Sequence, residues 1–425
     1  MYCAIDFGTS NSAVAVPDPR GTTMRLVELE PAQPTMPTAV FYRVDGGEAS
    51  HWQFGRAALA AYVDGIDGRL MRSMKSILGS ALVEQSTDVG GGRAVRYLDV
   101  VAGYVRHLKA RAEATLGRTI DAAVIGRPVY FVDDDDERDT AARAHLEDAA
   151  RRAGFRRIEF QFEPIAAAFD YERQVQAEQR VLVADIGGGT SDFSVVRVGP
   201  LRRGKVDRHG DILANHGVHV AGTDFDRRIE LACILPLLGY GAMRPARVGT
   251  PAREVPSGVY FDLATWHLVN TLYAPQRVAE LRRMRGWYAD PRQHARLLRV
   301  LDARLGHELL ARAESAKIAV ADGGSARIDL APVESGLAVE LVERDALAAI
   351  ETDIARIVAA ARETLARAGL RADAIDALYF TGGSTGLRVL AQRLAAVFPA
   401  ARVVRGDRFA SVVAGLAIDA QRRFG

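Results

Sequence analysis

Cysteine is almost absent from this chain. Cys3 and Cys233 are the only two in 425 residues, and Cys3 falls inside an apolar strand. That excludes a disulfide framework and points to a reducing compartment, so the expected location is cytoplasmic. Net charge is also scarce, at +2, and the basic residues, mostly Arg, are scattered along the chain. This argues against nucleic acid or an anionic membrane as partner. No run approaches the roughly 18 apolar residues of a membrane span. The N-terminus lacks the basic region of a signal peptide, and Asp6 and Gly8 interrupt its apolar stretch. What remains is ordinary for a globular protein: 48% hydrophobic and 25% charged residues. The length exceeds one hydrophobic core, so at least two lobes are expected.

One feature is not ordinary. Val181–Val198, VLVADIGGGTSDFSVVRV, echoes Tyr2–Val16, YCAIDFGTSNSAVAV. Each copy is an apolar strand ending in an acid (Asp6, Asp185), a glycine turn rich in hydroxyls, and a second apolar strand. The acids lie 179 residues apart, a spacing for two related domains rather than a solenoid repeat. Glycines admit close approach of backbone N–H groups to phosphate oxygens, and each acid can hold a hydrated Mg²⁺. Two such hairpins suit a polyphosphate and its metal.

The pattern around them alternates α and β. Strands are expected at Ala39–Tyr42 and His51–Phe54 around an Asp45-Gly46-Gly47 turn, with a helical stretch at Gly55–Asp64. Tyr97–Leu116 has long 3.6-residue periodicity, and Ala122–Ile125 reads as a buried strand. The acidic run Asp133–Glu137 reads as the charged start of a helix Arg138–Ala153 capped by Gly154. A strand Ile158–Phe160 and a helix Glu163–Tyr171 follow. Pro236–Pro256 reads as an irregular excursion; Phe261–Tyr273, Val278–Trp287, Arg296–Val320 and Arg344–Gly369 read as helices. A hairpin is expected at Arg327–Leu330 with Ala338–Leu341. Ala377–Thr381 is a strand opening into a third glycine turn, Gly382-Gly383-Ser384-Thr385, before a helix to Phe398. That turn lacks the terminal Lys-Ser/Thr of a P-loop, which disfavours a Walker-type NTPase.

The order DFGTSNS, DIGGGTSD, FTGGSTG resembles the ATPase superfamily of actin, sugar kinases and the seventy-kilodalton heat-shock chaperones. KSILG at Lys75–Gly79, EPIAAAFDY at Glu163–Tyr171, HVAGTDFDRRI at His219–Ile229 and ESAKIAV at Glu314–Val320 are similar to chaperone segments. The resemblance runs from Tyr2 to Ile418. IGRPVYF at Ile125–Phe131 and VPSGVYFDLATWHLVNTLY at Val255–Tyr273 resemble the DnaK-related YegD-like group. The fold implied is α/β, a two-lobed actin-like ATPase fold with duplicated ribonuclease-H-like subdomains and two smaller outer ones. The first lobe is expected at 1–178 (core 1–38 and 119–178, outer 39–118). The second is expected at 179–425 (core 179–224 and 345–425, outer 225–344).

The resemblance also implies roles. ATP or ADP and Mg²⁺ are the expected ligands, with Asp6 and Asp185 on the metal. Lys75, Glu163, Asp185 and Thr190 would be catalytic: Lys75 on the γ-phosphate, Glu163 on a metal-bound water, Asp185 on the attacking water. Gly8, Thr9, Ser10, Gly187, Gly188, Gly189 and Thr190 would contact phosphate. Gly222, Glu314, Lys317, Ile318, Gly382, Gly383 and Ser384 would complete the nucleotide contacts. Asp192 would hold a monovalent cation such as K⁺ or further metal water. Phosphoryl transfer needs positioning and charge neutralisation more than covalent help. The family's adenine-stacking arginine is Ile318 here, a nearby serine is Ala321, and the arginine after the third turn is Gly386. Pro128 matches the proline of the family's interdomain switch, with Arg138 as a gapped match to its partner. After SVVAGLAIDAQRRF no peptide-binding domain is expected. The expected activity is slow ATP hydrolysis by a chaperone-related conformational switch, with a co-chaperone or client engaged through the outer second-lobe subdomain. Two alternatives are a small-molecule kinase and a non-enzymatic nucleotide-gated module.

Overall fold

The structure is a computed structural model that describes all residues except 19–22, 45–51, 91, 133–134, 245–252 and 408–409. The chain forms two compact units. The larger comprises Met1–Val218, Ala360–Thr385 and Leu394–Gly425; the smaller comprises His219–Ala359 and Gly386–Arg393.

In the larger unit the sequence echo becomes a duplicated sheet. One sheet runs Arg157–Phe162, Ala122–Arg127, Tyr2–Phe7, Asn11–Pro17, Met24–Leu26, with Thr35–Pro37 also on Asn11–Pro17. The other runs Arg402–Arg405, Ala377–Thr381, Gln179–Ile186, Ser191–Val198, Ile212–Val218. In both, the strand ending in the acid is central. It pairs antiparallel with its hairpin mate and parallel with a strand far along the chain. The strand beyond, Ala122–Arg127 or Ala377–Thr381, pairs parallel in turn with Arg157–Phe162 or Arg402–Arg405. Such a pair requires a crossover, supplied by Asp136–Arg152 in the first sheet and Arg388–Val397 in the second.

After each sheet a helix follows, Glu163–Gln174 and Ser411–Phe424, and these two pack on each other. A Cβ on Gly415 would lie 1.8 Å from the Ala166 carbonyl oxygen, so glycine is required at this crossing. Ala4, Ala13 and Val124 of the first sheet share one core with Val181, Val183 and Tyr379 of the second through these helices. The first sheet's opposite face, Cys3, Ile5, Phe7 and Val14, buries against Tyr97–Leu116 and Asp136–Arg152. Alternate residues thus serve opposite faces, the period-2 rule of strands.

Most expected elements are present within a residue or two, including Tyr97–Leu116 and Ala377–Thr381. The acidic run does begin a helix: Asp135 caps Asp136–Arg152 by accepting from the Arg138 N–H at 3.0 Å. The Asp45-Gly46-Gly47 turn, His51, Asp133 and Asp134 lie outside the described residues, as does much of the Pro236–Pro256 excursion. Three expected helices are broken. Phe261–Tyr273 is a short helix Gly258–Leu263 and a separate 3₁₀ turn Val269–Tyr273. The β-branched and Asn residues Val269, Asn270 and Thr271 are weak helix formers. Val278–Trp287 is a helix Pro275–Arg283 tightening into a 3₁₀ turn Met284–Trp287. Arg296–Val320 is two helices, Pro291–Asp302 and Gly306–Ala319. Between them Arg304 takes a left-handed φ of 53°, and the Gly306 N–H donates to the Tyr273 hydroxyl at 3.0 Å, outside the helix ladder. Among the described residues no helix is long and apolar enough to cross a membrane.

Candidate functional site

Asp6 stands at the end of the first hairpin's leading strand, opposite Ala13. The turn Gly8-Thr9-Ser10 is closed so tightly that a Cβ on Gly8 would lie 2.2 Å from the Asn11 carbonyl oxygen. Thr38 anchors it. Its hydroxyl donates to the Gly8 carbonyl at 2.8 Å and its N–H to the Ser10 carbonyl at 2.9 Å. The buried Ser12 hydroxyl, 2.9 Å from the Thr38 oxygen, is left as donor to it. Neither Thr38 nor Ser12 carries a motif signal beyond the hairpin's general richness in hydroxyls.

Asp185 occupies the equivalent place in the second hairpin, in register with Asp192 and with Thr381. The Gly187 N–H donates to the Thr190 carbonyl at 3.0 Å. Here the fold itself does not demand glycine: a Cβ on Gly189 would meet nothing, and one on Gly187 only Thr190 O at 3.8 Å. The space beside these two α-carbons is open, room that backbone approach to a phosphate requires. The third turn packs on the second hairpin. Ser384 Oγ donates to the Gly187 carbonyl at 2.7 Å, and Gly382 adopts φ 87° with its Cβ position 2.6 Å from Asp185 Oδ1. Gly383 begins the 3₁₀ turn that follows. Two glycine turns distant in sequence therefore meet around one acid.

Charge converges on the same place. Lys75, one of four lysines in the chain, sits on a 3₁₀ turn Met74–Ile77. Its Nζ lies 2.5 Å from Glu163 Oε1, with side-chain exposures of 9% and 16%. Burial alone would lower the Lys75 pKa, but Glu163, Asp6 and Asp192 more than offset it and the value is raised. The Asp6 carboxyl is pushed up by burial and by Glu163 and Asp185, against the pull of Lys75. Asp185 is raised to about 7 by burial, then by Asp192 and Glu163, with Lys75 opposing. Lys75, Glu163, Asp6, Asp185 and Asp192 thus form one electrostatic cluster. Among the described residues no three His, Cys, Asp or Glu side chains form a metal cage. The carboxylate oxygens of Asp6 and Asp185 do suit Mg²⁺, which takes one or two carboxylates and keeps waters and phosphate oxygens.

The other predicted contacts lie in the smaller unit. Gly222 opens the helix Gly222–Ile229, and its carbonyl accepts from Lys317 Nζ at 3.2 Å. Lys317 also pairs with Asp226 at 2.7 Å. Glu314 acts on Asp226 electrostatically, while Ile318 is 62% exposed on the same helix. Burial raises Asp226 to about 6, with Lys317 pulling down and Glu314 and Asp224 pushing up. One turn on, at the start of a π-helical stretch Glu230–Ile234, Glu230 is completely buried and neither carboxyl oxygen has a hydrogen-bond partner. Burial and Asp226 raise its pKa well above the ordinary range. Sequence reasoning missed Asp226 and Glu230; two acids at i, i+4 in HVAGTDFDRRIEL are the available signal. Arg127 Nε donates to the Pro128 carbonyl at 3.0 Å, while Arg138 Nε donates to the Gly79 carbonyl.

Duplicated sheets, each presenting an acid and a glycine turn, define the two-lobed actin-like ATPase fold. The Hsp70 protein family model matches residues 2–234, and the chain belongs to that family. It is 28% identical over 438 residues to the chaperone protein HscA homolog of Azoarcus sp. (strain BH72), covering 99% of this chain and 58% of that protein. It is 33% identical over 250 residues to the HscA homolog of Laribacter hongkongensis, covering 54% of this chain and 36% of that one. The homolog of Azotobacter vinelandii is 29% identical over 441 residues, 99% of this chain and 57% of the relative. The chain thus spans no more than about three-fifths of the length of these curated relatives.

Proposed function

We propose that these residues bind Mg·ATP, hydrolyse it slowly and act as a nucleotide-driven conformational switch. The observation that carries the reading is the meeting of Lys75, Glu163, Asp6 and Asp185 beside two glycine turns, one of which the fold leaves open. Mg²⁺ supplies neutralisation of charge on the phosphate oxygens. Asp6 and Asp185 would hold it. N–H groups of Gly8–Ser10 and Gly187–Thr190 bind phosphate oxygens, and Gly382-Gly383-Ser384 supports the second hairpin from behind. Lys75 exchanges part of its bond to Glu163 for a bond to the terminal phosphate, where charge grows in the transition state. Glu163 then accepts from and orients a water, Asp185 orients the attacking one, and Thr190 contributes its hydroxyl. Asp192 suits a monovalent cation, K⁺, or a metal water. In the smaller unit Gly222, Glu314, Lys317 and Ile318 are proposed nucleoside contacts, with Lys317 positioned by Asp226.

IGRPVYF and VPSGVYFDLATWHLVNTLY support placement in the YegD-like subgroup, and two free thiols fit a reducing compartment such as the cytoplasm. The smaller unit is the proposed surface for a co-chaperone or client. The primary test is calorimetry with ATP and ADP, with and without Mg²⁺, on wild type and Asp6→Asn. Nucleotide binding with a metal dependence that weakens in the variant is expected. No binding by wild type at millimolar nucleotide refutes the reading.

A further inference from the structure

The smaller unit carries a local charge the whole chain lacks. Residues 275–304 contain eight arginines against three acids, Glu280, Asp290 and Asp302, a surplus of five in a chain whose total is +2. Within this segment a cavity of about 390 Å³ opens between the helix Pro275–Arg283 and the break after Asp302. Its walls include Tyr273, Val278, Ala279 and Leu301, and Arg282 and Arg304 stand among its lining residues. The volume is at the low end for ligand pockets, enough for one or two large apolar side chains.

The arginines are available for exchange. Arg282 pairs with Asp302 at 2.8 Å, with both side chains about half exposed, so an incoming carboxylate displaces a weak surface pair. Arg304 pairs with no carboxylate among the described residues. It is held in a left-handed conformation, with its guanidinium 5.7 Å from the Tyr273 ring centre. Non-glycine residues seldom adopt that backbone, and the strained residue sits at the mouth of the cavity.

We propose that this groove docks an acidic amphipathic protein segment. A Leu- or Phe-type side chain enters the cavity, and flanking Asp or Glu carboxylates pair with Arg282 and Arg304. Arg and Tyr around a small socket that includes Val278, Ala279 and Leu301 match the composition of protein interfaces, and an amphipathic helix lays its apolar face into a groove of this kind. A nucleic acid fits less well, because Val278, Ala279 and Leu301 between the arginines offer its phosphates no donor, whereas they accept an apolar side chain; Asp302 opposes phosphate and carboxylate alike. This proposal gives chemistry to the partner surface above and makes no use of nucleotide binding, so its test is run without nucleotide.

The test is fluorescence anisotropy on the full chain with a labelled peptide bearing Leu and Phe at helical spacing among Glu residues. Polyglutamate, duplex DNA and phosphatidylserine vesicles are the comparison ligands. The amphipathic peptide should bind more tightly than all three. Arg282→Glu/Arg304→Glu and Ala279→Trp, which fills the socket from an exposed position, should each weaken it by about tenfold or more. Thermal melts check folding, and Arg304→Ala replaces the double variant if that fails to fold. Equal binding of polyglutamate, preference for DNA or vesicles, absence of peptide binding, or unchanged binding by the folded variants overturns the proposal.

Discussion

Replacing Lys75 by Ala removes an ammonium group that lies 2.5 Å from Glu163 and acts on Asp6, Asp185 and Asp192. Two consequences separate cleanly. In the resting protein Glu163 loses its partner. Breaking a buried pair costs about 3–5 kcal/mol, and the loss here should sit at the lower end because both side chains retain some exposure. In the proposed mechanism the lost group acts where charge develops. Removing such a donor typically costs about 10²–10³ in turnover, or about 2.7–4 kcal/mol. On the proposed reading the ground-state nucleotide contacts come mainly from backbone N–H groups, so affinity should change little. The assay is single-turnover hydrolysis of radiolabelled ATP, with calorimetry for affinity and thermal melts for stability. Adding Glu163→Gln to Lys75→Ala should recover stability without recovering turnover. Turnover within about threefold of wild type would remove Lys75 from the mechanism, whatever the stability does.

Three further outcomes follow from the site. Metal binding needs ionised carboxylates, and Asp185 is raised to about 7 with Asp6 raised beside it. Mg·ATP affinity should therefore climb as pH rises through 7, by up to about tenfold per unit below it, with protons released; pH-independent affinity between about 6 and 9 would contradict this. Glu230 holds its proton in the folded state far above the ordinary carboxyl range, so the folded protein binds more protons than the unfolded one. Stability should fall as pH rises above about 4.3, the ordinary Glu value, and Glu230→Gln should flatten that slope in pH-resolved denaturant melts; identical slopes would show Glu230 to be ionised and compensated. Finally, Ile318 and Ala321 offer no polar contact to a base, so GTP or ITP should bind within about 1–3 kcal/mol of ATP in competition calorimetry. A thousandfold preference would assign base reading to Glu314 and Lys317.

Much of this was written in local patterns. An apolar strand, an acid and a glycine turn are short-range chemistry, so both glycine hairpins and their acids could be located before any fold was known. The period of Tyr97–Leu116 and the punctuation around Ala377–Thr381 likewise need no tertiary information. Other features are set by contacts between distant segments. Nothing near Thr38 announces that it closes the first turn, because its partners are the backbone oxygens of Gly8 and Ser10 across a sheet. The continuous periodicity of Arg296–Val320 conceals a break, since the Tyr273 hydroxyl captures the Gly306 N–H and Arg304 turns left-handed. Spacing alone likewise does not reveal that Lys317, read as a ligand lysine, pairs with Asp226. Spacing along a chain determines which groups share a strand, turn or helix face. Only the packed chain determines which of them find each other, because a buried donor or charge must be satisfied by whatever the tertiary fold brings within reach.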